Sequence, residues 1–172
     1  INATVVDQVN GGHMPFLEPE GPEQLAKAID AKNILATTDP TVINNAEYIV
    51  VVVGTPVDEH LNPDPMVVPN VIEDISSHMR PGQLLILRST VYPGVTRLVE
   101  NLMTRLETGV EVSFCPERIA EGTAFTELYS LPQIVSGRSE GSVDRASDLF
   151  KRLTQKIIVT TPEEAELAKL FT

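Results

Sequence analysis

Short apolar runs alternate with amphipathic stretches along most of the chain. Residues 48–54 (YIVVVVG) and 83–90 (QLLILRST) contain four or more consecutive apolar residues, which is typical of parallel strands buried on both faces. The first of these runs is expected to form a central strand. Further strands are predicted at residues 3–7 (ATVVD), 33–38 (NILATT), 110–114 (VEVSF), 133–137 (QIVSG) and 156–160 (KIIVT).

Amphipathic spacing and capping signals predict helices between the strands. Proline near the first turn favours helices at residues 21–32 and from residue 162 onward, and Asp39 followed by Pro40 favours a short capped helix. Helices are also predicted at 71–79 and 143–153. One apolar stripe at helical spacing consists of Val95, Leu98, Val99, Leu102, Met103 and Leu106.

This alternation of strands with helices of roughly ten to fifteen residues predicts βαβ units. The expected fold class is therefore α/β, with a doubly wound and mostly parallel sheet. The 172 residues suffice for one domain with a full core. In such a sheet, ligands bind beyond the carboxyl ends of the strands, so the residues after each strand are the first candidates for a site.

Several predicted strand ends carry residues suited to holding a ligand. Asp7 ends the first predicted strand, where a carboxylate can accept hydrogen bonds from ribose hydroxyls, and a simple turn is the alternative. Residues 53–56 (VGTP) offer backbone N–H groups beside a glycine, or form an ordinary turn. Ser89 and Thr90 either hold water or phosphate, or cap the following helix.

The segment SFCPERIAEGTAF (113–125) places two glutamates four residues apart. If a helical turn forms there, Glu117 and Glu121 lie on one face, and the pKa of one of two neighbouring carboxyls rises, which suits a general base. The alternative is a solvated acidic turn balanced by Arg118. Cys115 has no histidine near it in sequence, so a small buried thiol is expected there rather than a nucleophile.

Lys169 lies on an otherwise apolar stretch of the last predicted helix. It is either a partly desolvated ammonium of use in catalysis, or a lysine whose stem covers the apolar face while its charged head reaches water.

The charge balance is strongly acidic, with 13 basic and 24 acidic residues and a net charge of −11. Such a surface disfavours nucleic-acid binding, although backbone N–H groups can still hold a nucleotide. The apolar runs are too short to cross a bilayer, so no membrane partner is expected. One cysteine and three scattered histidines offer no ligand spacing, so no metal is expected either, and a reducing, cytoplasmic compartment is expected.

The motifs VNGGHMPFLEP, TTD, VVVGTP, LNPD, RSTVYPG, CPERIAEG, LPQIVSG and AELAKLFT follow one another in a fixed order over essentially the whole chain. This ordered set resembles the UDP-glucose/GDP-mannose dehydrogenase family. The segments PERIAEG and LPQIVSG are similar to the UDP-N-acetylmannosamine dehydrogenase branch, whereas the UDP-glucose branch usually has Pro-Glu-Phe at the corresponding motif.

The resemblance implies a Rossmann-like NAD-binding domain at residues 1–161, without the first strand and glycine-rich loop, and the start of a central connecting helix at 162–172. It implies that NAD oxidises the C6 alcohol of a UDP-hexose twice, through an aldehyde and a cysteine thioester, to the uronic acid. Relatives are usually homodimers. Because the family's nucleophilic cysteine lies beyond Thr172, this chain alone is expected to turn over no substrate.

The resemblance also implies roles for individual residues. Thr90 would hold a catalytic water, Glu117 would be the general base or water-activating acid, and Lys169 would steady the developing oxyanion. The residues expected to contact NAD are Asp7, Val53, Gly54, Thr55, Pro56, Val57, Ser89, Thr90, Val91 and Glu121. Those expected to contact the UDP-sugar are Arg118, Ile119, Ala120, Glu121 and Lys169.

Two other functions stay open at this point. A non-catalytic nucleotide-binding α/β module would have the same fold, but it would not need Thr90, Glu117, Glu121 and Lys169 together. A dehydrogenase acting on hydroxyacyl or phosphogluconate substrates would share the sheet, but PERIAEG and AELAKLF argue against it. One departure from the family concerns Asp7, since fewer residues than usual separate it from VNGG.

Overall fold

The computed structural model describes residues 2–55, 59, 64–120 and 122–171. The chain divides into two compact units, which are described separately. The smaller unit comprises Ile1–Pro40 and Ile119–Ser130, and the larger unit comprises Thr41–Arg118 and Leu131–Thr172.

The smaller unit contains three helices, α1 (Ala3–Asn10), α2 (Gly21–Asp30) and α5 (Ala124–Ser130). Glu18 stabilises it from within, because its buried carboxylate accepts the backbone N–H of Gly122 at 3.0 Å and of Ala124 at 3.1 Å. The helix α2 confirms the prediction for residues 21–32, whereas α5 was not predicted.

Two predicted strands of this unit are wrong. Residues 3–7 belong to the helix α1, which begins where the Asn2 side chain accepts the N–H of Thr4 at 2.9 Å. Val5, Val6 and Val9 are half-buried at helical spacing, as expected for one face of a helix. The strand was predicted because β-branched residues favour strands. Residues 33–38 have irregular backbone, where the amide of Asn10 bonds both the N–H and the C=O of Ala36 at 2.9 Å.

The larger unit is built on a five-stranded sheet in the order β1-β2-β3-β4-β5. The strands β1, β2 and β3 are parallel, β4 is antiparallel to β3, and β5 is parallel to β4. This confirms a mostly parallel α/β sheet. The strands are β1 (Tyr48–Val51), β2 (Leu84–Leu87), β3 (Glu111–Phe114), β4 (Gln133–Gly137) and β5 (Ile157–Thr160).

Helices cover both faces of this sheet, and two 3-10 helices complete the unit. The apolar faces of α3, α4 and α7 pack on one side of the strands, and α6 packs on the other. The elements are the 3-10 helices Pro40–Asn45 and Ser76–His78, α3 (Val67–Ile75), α4 (Val95–Arg105), α6 (Glu140–Phe150) and α7 (Pro162–Leu170).

The two long apolar runs differ in how deeply they are buried. All four residues of β2 are fully buried, as predicted, because Leu85 and Leu87 face one helical layer while Leu84 and Ile86 face the other. The prediction for the run at 48–54 is wrong in two respects. The strand β1 lies at an edge of the described sheet, and Val50 and Val52 are 44% and 71% exposed.

The predicted helices are found with shifted ends. The helix α3 begins four residues before the predicted start at Val71, and α6 begins three before Val143. Asp39 precedes a 3-10 helix that begins at Pro40, rather than the predicted α-helix. In the α4 stripe, Leu98 and Leu106 are exposed while the other four side chains are buried. In the described part of the chain, every helix falls short of the length and apolar character that crossing a bilayer requires.

Candidate functional site

The ends of β1 and β2 are tied together by side-chain hydrogen bonds. The N–H of Val53 donates to Oγ of the buried Ser89 at 2.7 Å, and Oγ1 of Thr55 donates to the carbonyl of Thr90 at 2.8 Å. Among the described residues, no atom lies within 4 Å of a Cβ added at Gly54, so these residues leave the backbone there open to a ligand. Val53, Gly54, Thr55, Ser89 and Thr90 thus form a fixed backbone surface, here called the ledge. A flat ligand group can approach it closely at the glycine.

The end of β3 brings Glu117 against the residue that follows β2. The N–H of Glu117 donates to the carbonyl of Arg88 at 3.2 Å, and its carboxylate forms an ion pair with the Arg88 guanidinium. Oε1 of Glu117 also accepts the N–H of Arg118 at 2.7 Å. The Glu117 side chain is one-third exposed, so solvent reaches a carboxylate whose orientation Arg88 and the Arg118 N–H help to fix.

Arg88 is buried, and besides Glu117 it contacts Gln133 and Phe150. Its Nη1 donates to Oε1 of Gln133 at 3.1 Å, and its guanidinium lies 4.7 Å from the centre of the Phe150 ring. Burial lowers the pKa of Arg88, and the negative charge of an ionised Cys115 would oppose this shift. The sequence analysis did not select Arg88 or Gln133. The only available signal was an arginine directly after a fully apolar strand, where burial without a partner is costly.

The predicted helical turn around the two glutamates is wrong. Residues 115–120 have irregular backbone, so the four-residue spacing does not place two carboxylates on one helix face. Arg118 donates through its side chain to the Pro132 carbonyl, and Arg88 rather than Arg118 forms the ion pair with Glu117. Glu121, together with Pro56 and Val57, lies outside the described residues.

Cys115 is a buried thiol, as expected from the sequence. Burial raises its pKa to about 11, although hydrogen bonds from Ser113 and the Ser136 backbone and the charge of Arg88 act in the opposite direction. A thiol of this kind is almost entirely protonated at neutral pH and is therefore a poor nucleophile.

The helix α7 places Lys169 one turn after a buried acid. Glu166 is almost fully buried, and its carboxylate accepts the N–H of Gly94 at 2.7 Å and of Thr96 at 2.8 Å, at the start of α4. Lys169 is half-buried three residues later on the same helix. Thr90, which is exposed, lies four residues before Gly94 in the β2–α4 loop.

The predicted site residues are distributed over both units. Thr90, Glu117, Arg118 and Lys169 lie in the larger unit, whereas Ile119 and Ala120 lie in the smaller one. Val91 is buried beneath the β2–α4 loop. The common pocket expected for Thr90, Glu117 and Lys169 stays a prediction.

Asp7 also lies in the smaller unit, exposed on α1. The ribose contact predicted for Asp7 assumed that this residue ends a strand, whereas it lies within a helix.

Two described cavities of the larger unit lie away from these strand ends. One of 570 Å³ lies beside the amino end of β3 and the carboxyl end of β4, and its lining includes Glu111, Arg138 and Ser139. One of 220 Å³ lies between α3 and α4. Within the described ranges, no three His, Cys, Asp or Glu side chains come together as a set that could hold a metal ion.

The model of the NAD binding domain of the UDP-glucose/GDP-mannose dehydrogenase family matches residues 1–154. The chain belongs to this family. Over 178 residues it is 30% identical to the UDP-N-acetyl-D-mannosamine dehydrogenase of Pyrococcus horikoshii, covering 99% of this chain and 42% of that protein. The chain thus spans about two fifths of the length of the curated relatives it matches.

Solved structures of family members have the same fold. The structure of UDP-D-ManNAc dehydrogenase from Pyrococcus horikoshii superposes with a TM-score of 0.89 at 28% identity, covering 99% of this chain and 42% of that chain. The NDP-N-acetyl-D-galactosaminuronic acid dehydrogenase of Methanosarcina mazei Go1 also gives a TM-score of 0.89, at 23% identity, over 97% and 38% of the two chains. The latter likeness supports the Rossmann-like fold alone.

As a member of this family, the chain is an NAD-binding domain. The ledge formed by Val53, Gly54, Thr55, Ser89 and Thr90 fits one side of a dinucleotide site, because it combines open space at Gly54 with a fixed backbone. It also lies beyond the carboxyl ends of parallel strands, where open α/β sheets bind nucleotides.

Proposed function

We propose that this chain is the NAD-binding part of a UDP-sugar 6-dehydrogenase that oxidises the C6 alcohol of a UDP-hexose to the uronic acid. Each of two successive oxidations delivers a hydride to one NAD, and the overall reaction consumes one water. The observation that carries the proposal is the position of Glu117, a partly exposed carboxylate held by Arg88 beside the loop that bears Thr90.

Three residues are assigned to the chemistry. Glu117 accepts a proton from the attacking water, and the Thr90 hydroxyl orients that water. Lys169 stabilises negative charge on the C6 oxygen as it develops, which a half-buried ammonium does better than an exposed one. The β1 and β2 ends hold the cofactor, and Arg118, Ile119, Ala120 and Glu121 are assigned to the sugar nucleotide.

The substrate is proposed to be UDP-N-acetylmannosamine. The curated relative reported above, from Pyrococcus horikoshii at 30% identity, bears the name UDP-N-acetyl-D-mannosamine dehydrogenase. The segments PERIAEG and LPQIVSG agree with this branch. The complete protein is proposed to be a homodimer, which light scattering on the complete polypeptide would test.

The test is product analysis with the complete polypeptide that carries this chain. UDP-N-acetylmannosamine, UDP-glucose and GDP-mannose are compared at equal concentrations, with NADH and the uronic acid both quantified. Two NADH per uronic acid with the first substrate support the proposal. NAD binding without turnover of any sugar nucleotide would contradict it and favour the non-catalytic nucleotide-binding module.

A substitution tests the role of Glu117. Glu117→Gln in the complete polypeptide is expected to lower kcat by about 10²–10⁴-fold, the usual contribution of a general base. The matched control is Glu73→Gln, at an exposed carboxylate that pairs with Arg105 at 2.8 Å, and it is expected to leave kcat unchanged. The isolated chain is expected to turn over no substrate, so steady NADH production by the isolated chain would contradict the proposal that it is only the NAD-binding part.

A further inference from the structure

We propose that Arg88 is a positioning residue that holds the Glu117 carboxylate ionised and in one orientation. The inference rests on the proposed function, because it assigns a purpose to Arg88 only if Glu117 acts on a water. It adds a residue at the end of β2 whose side chain acts through Glu117.

The first argument is that neighbouring side chains fix the orientation of the Arg88 guanidinium. Its Nη1 donates to Oε1 of Gln133 at 3.1 Å, and its guanidinium carbon lies 4.7 Å from the centre of the Phe150 ring. Gln133 is itself held, since its Nε2 donates to the Ile134 carbonyl at 2.7 Å. The fork geometry of arginine then presents a second N–H group to Glu117 in a fixed direction.

The second argument is that solvent reaches the Glu117 carboxylate while the protein fixes its direction. This carboxylate receives the Arg88 guanidinium on Oε2 and the N–H of Arg118 on Oε1. With one-third of the side chain exposed, a water can reach the oxygens while their direction is fixed from the protein side.

The third argument concerns charge. The buried guanidinium of Arg88 requires an anionic partner, and the ion pair favours the ionised form of Glu117. From the neighbouring elements, Glu117 thus faces the cation of Arg88, while Gln133 of β4 and Phe150 of α6 hold that cation and carry no charge. On its own segment lie Arg118 and the protonated thiol of Cys115.

The surface ion pairs of the chain provide a contrast. Arg105 pairs with Glu73 at 2.8 Å, but its side chain is 66% exposed, against 8% for that of Arg88. Water screens such an exposed pair, so removing Arg105 leaves the rest of the chain nearly unchanged. Arg105→Gln is therefore the matched control for Arg88→Gln.

The first measurement is a carbon-13 NMR titration of the Glu117 carboxyl in this chain, assigned with Glu117→Gln. Arg88→Gln is expected to raise the midpoint of the Glu117 titration by about one to three pH units, because an opposite charge is lost. Arg88→Lys is expected to give a smaller rise, since it keeps the charge but not the fork. Arg105→Gln is expected to leave the midpoint unchanged.

If Arg88→Gln does not fold, Gln133→Leu replaces it, because this variant releases the guanidinium without removing the charge. It is expected to raise the midpoint by less than Arg88→Gln would. A midpoint that is unchanged in every folded variant of Arg88 and Gln133 would overturn the inference.

The second measurement is the pH dependence of kcat in the complete polypeptide. Arg88→Gln is expected to move the acid limb to higher pH by the same amount as the NMR midpoint, with little change in KM for NAD. Partial rescue by Arg88→Lys supports positioning, and an unmoved acid limb in an active Arg88→Gln enzyme overturns it. If the unsubstituted polypeptide oxidises no sugar nucleotide, the proposed function fails, while the titration still decides whether Arg88 holds Glu117.

Discussion

Glu166 of α7 accepts a hydrogen bond from the backbone N–H of Gly94, at 2.7 Å, and thereby caps a helix other than its own. Gly94 is the N-cap residue of α4, has a φ of 99° and offers no side chain for capping. The second carboxylate oxygen accepts the N–H of Thr96 at 2.8 Å. A buried negative charge at the positive end of α4 thus joins α7 to the β2–α4 loop.

Replacing Glu166 is expected to destabilise the larger unit. Glu166→Ala removes the acceptor of the buried Thr96 N–H and of the Gly94 N–H, and is expected to cost about 2–4 kcal/mol of unfolding free energy, measured by urea denaturation. Glu164→Ala is the control on the same helix, because Glu164 is exposed and its described hydrogen bonds go to its own N-cap residue, Thr161. A cost for Glu166→Ala no larger than that for Glu164→Ala would show that the cap contributes little.

Gln83 is expected to be nearly as important to stability. Its Oε1 accepts the N–H of Arg80 at 2.7 Å, and its Nε2 donates to the carbonyls of Ile43 and Ala46 at 2.7 and 2.8 Å. Gln83→Met keeps the volume but removes the acceptor of the Arg80 N–H and one donor to each of the Ile43 and Ala46 carbonyls, and is expected to cost about 2–4 kcal/mol. Gln155→Met, at an exposed position, is expected to change stability by less than about 0.5 kcal/mol in the same urea titration.

Cys115 is expected to make the fold sensitive to alkaline pH. Its pKa of about 11 in the folded chain lies above that of an unfolded thiol. Between these two pKa values the folded state therefore keeps a proton that the unfolded state has lost, and rising pH favours unfolding. The stabilisation is complete below the unfolded pKa and is lost as the pH rises through about 9 to 11, with a total of about 2–3 kcal/mol. Thermal denaturation of the unsubstituted chain and Cys115→Ala over this range measures the difference. Parallel pH curves for the two proteins would contradict the expectation.

Glu163 is expected to give a small effect at acidic pH. The Arg138 guanidinium is the main cause that lowers the pKa of Glu163 to about 2. The ionised form therefore stabilises the fold above the unfolded pKa, and this contribution is lost as the pH falls from about 4.5 towards 2. Because both side chains are substantially exposed, Glu163→Gln is expected to cost less than about 1 kcal/mol at neutral pH. A larger loss in urea denaturation, relative to Arg105→Gln, would contradict this.

The sheet was predictable because its strands carry their own signal. Residues such as Leu84 to Leu87 are apolar without interruption, and only burial on both faces accommodates such a run. The failures fall where local and tertiary effects compete. The run at Thr4 to Val6 favours a strand by composition, yet Asn2 caps a helix there and the half-buried valines follow its period.

The site was predictable only in part. Ser89, Thr90 and Glu117 could be selected because they directly follow strands, and the sheet places strand ends at one edge. Arg88, Gln133 and Glu166 could not be selected in the same way, since their partners are 29, 45 and 72 residues away in the chain.

Local patterning was enough to locate the five strands, to indicate a parallel α/β sheet and, through an ordered set of motifs, to indicate the family. Periodicity and capping act over a few residues, so they can be read without knowing the fold. Folding decided which charges are paired: Glu117 with Arg88 rather than Arg118, and Glu166 with the amides of α4. Pairing depends on distances across the sheet and between helices, and burial then determines whether water weakens each contact.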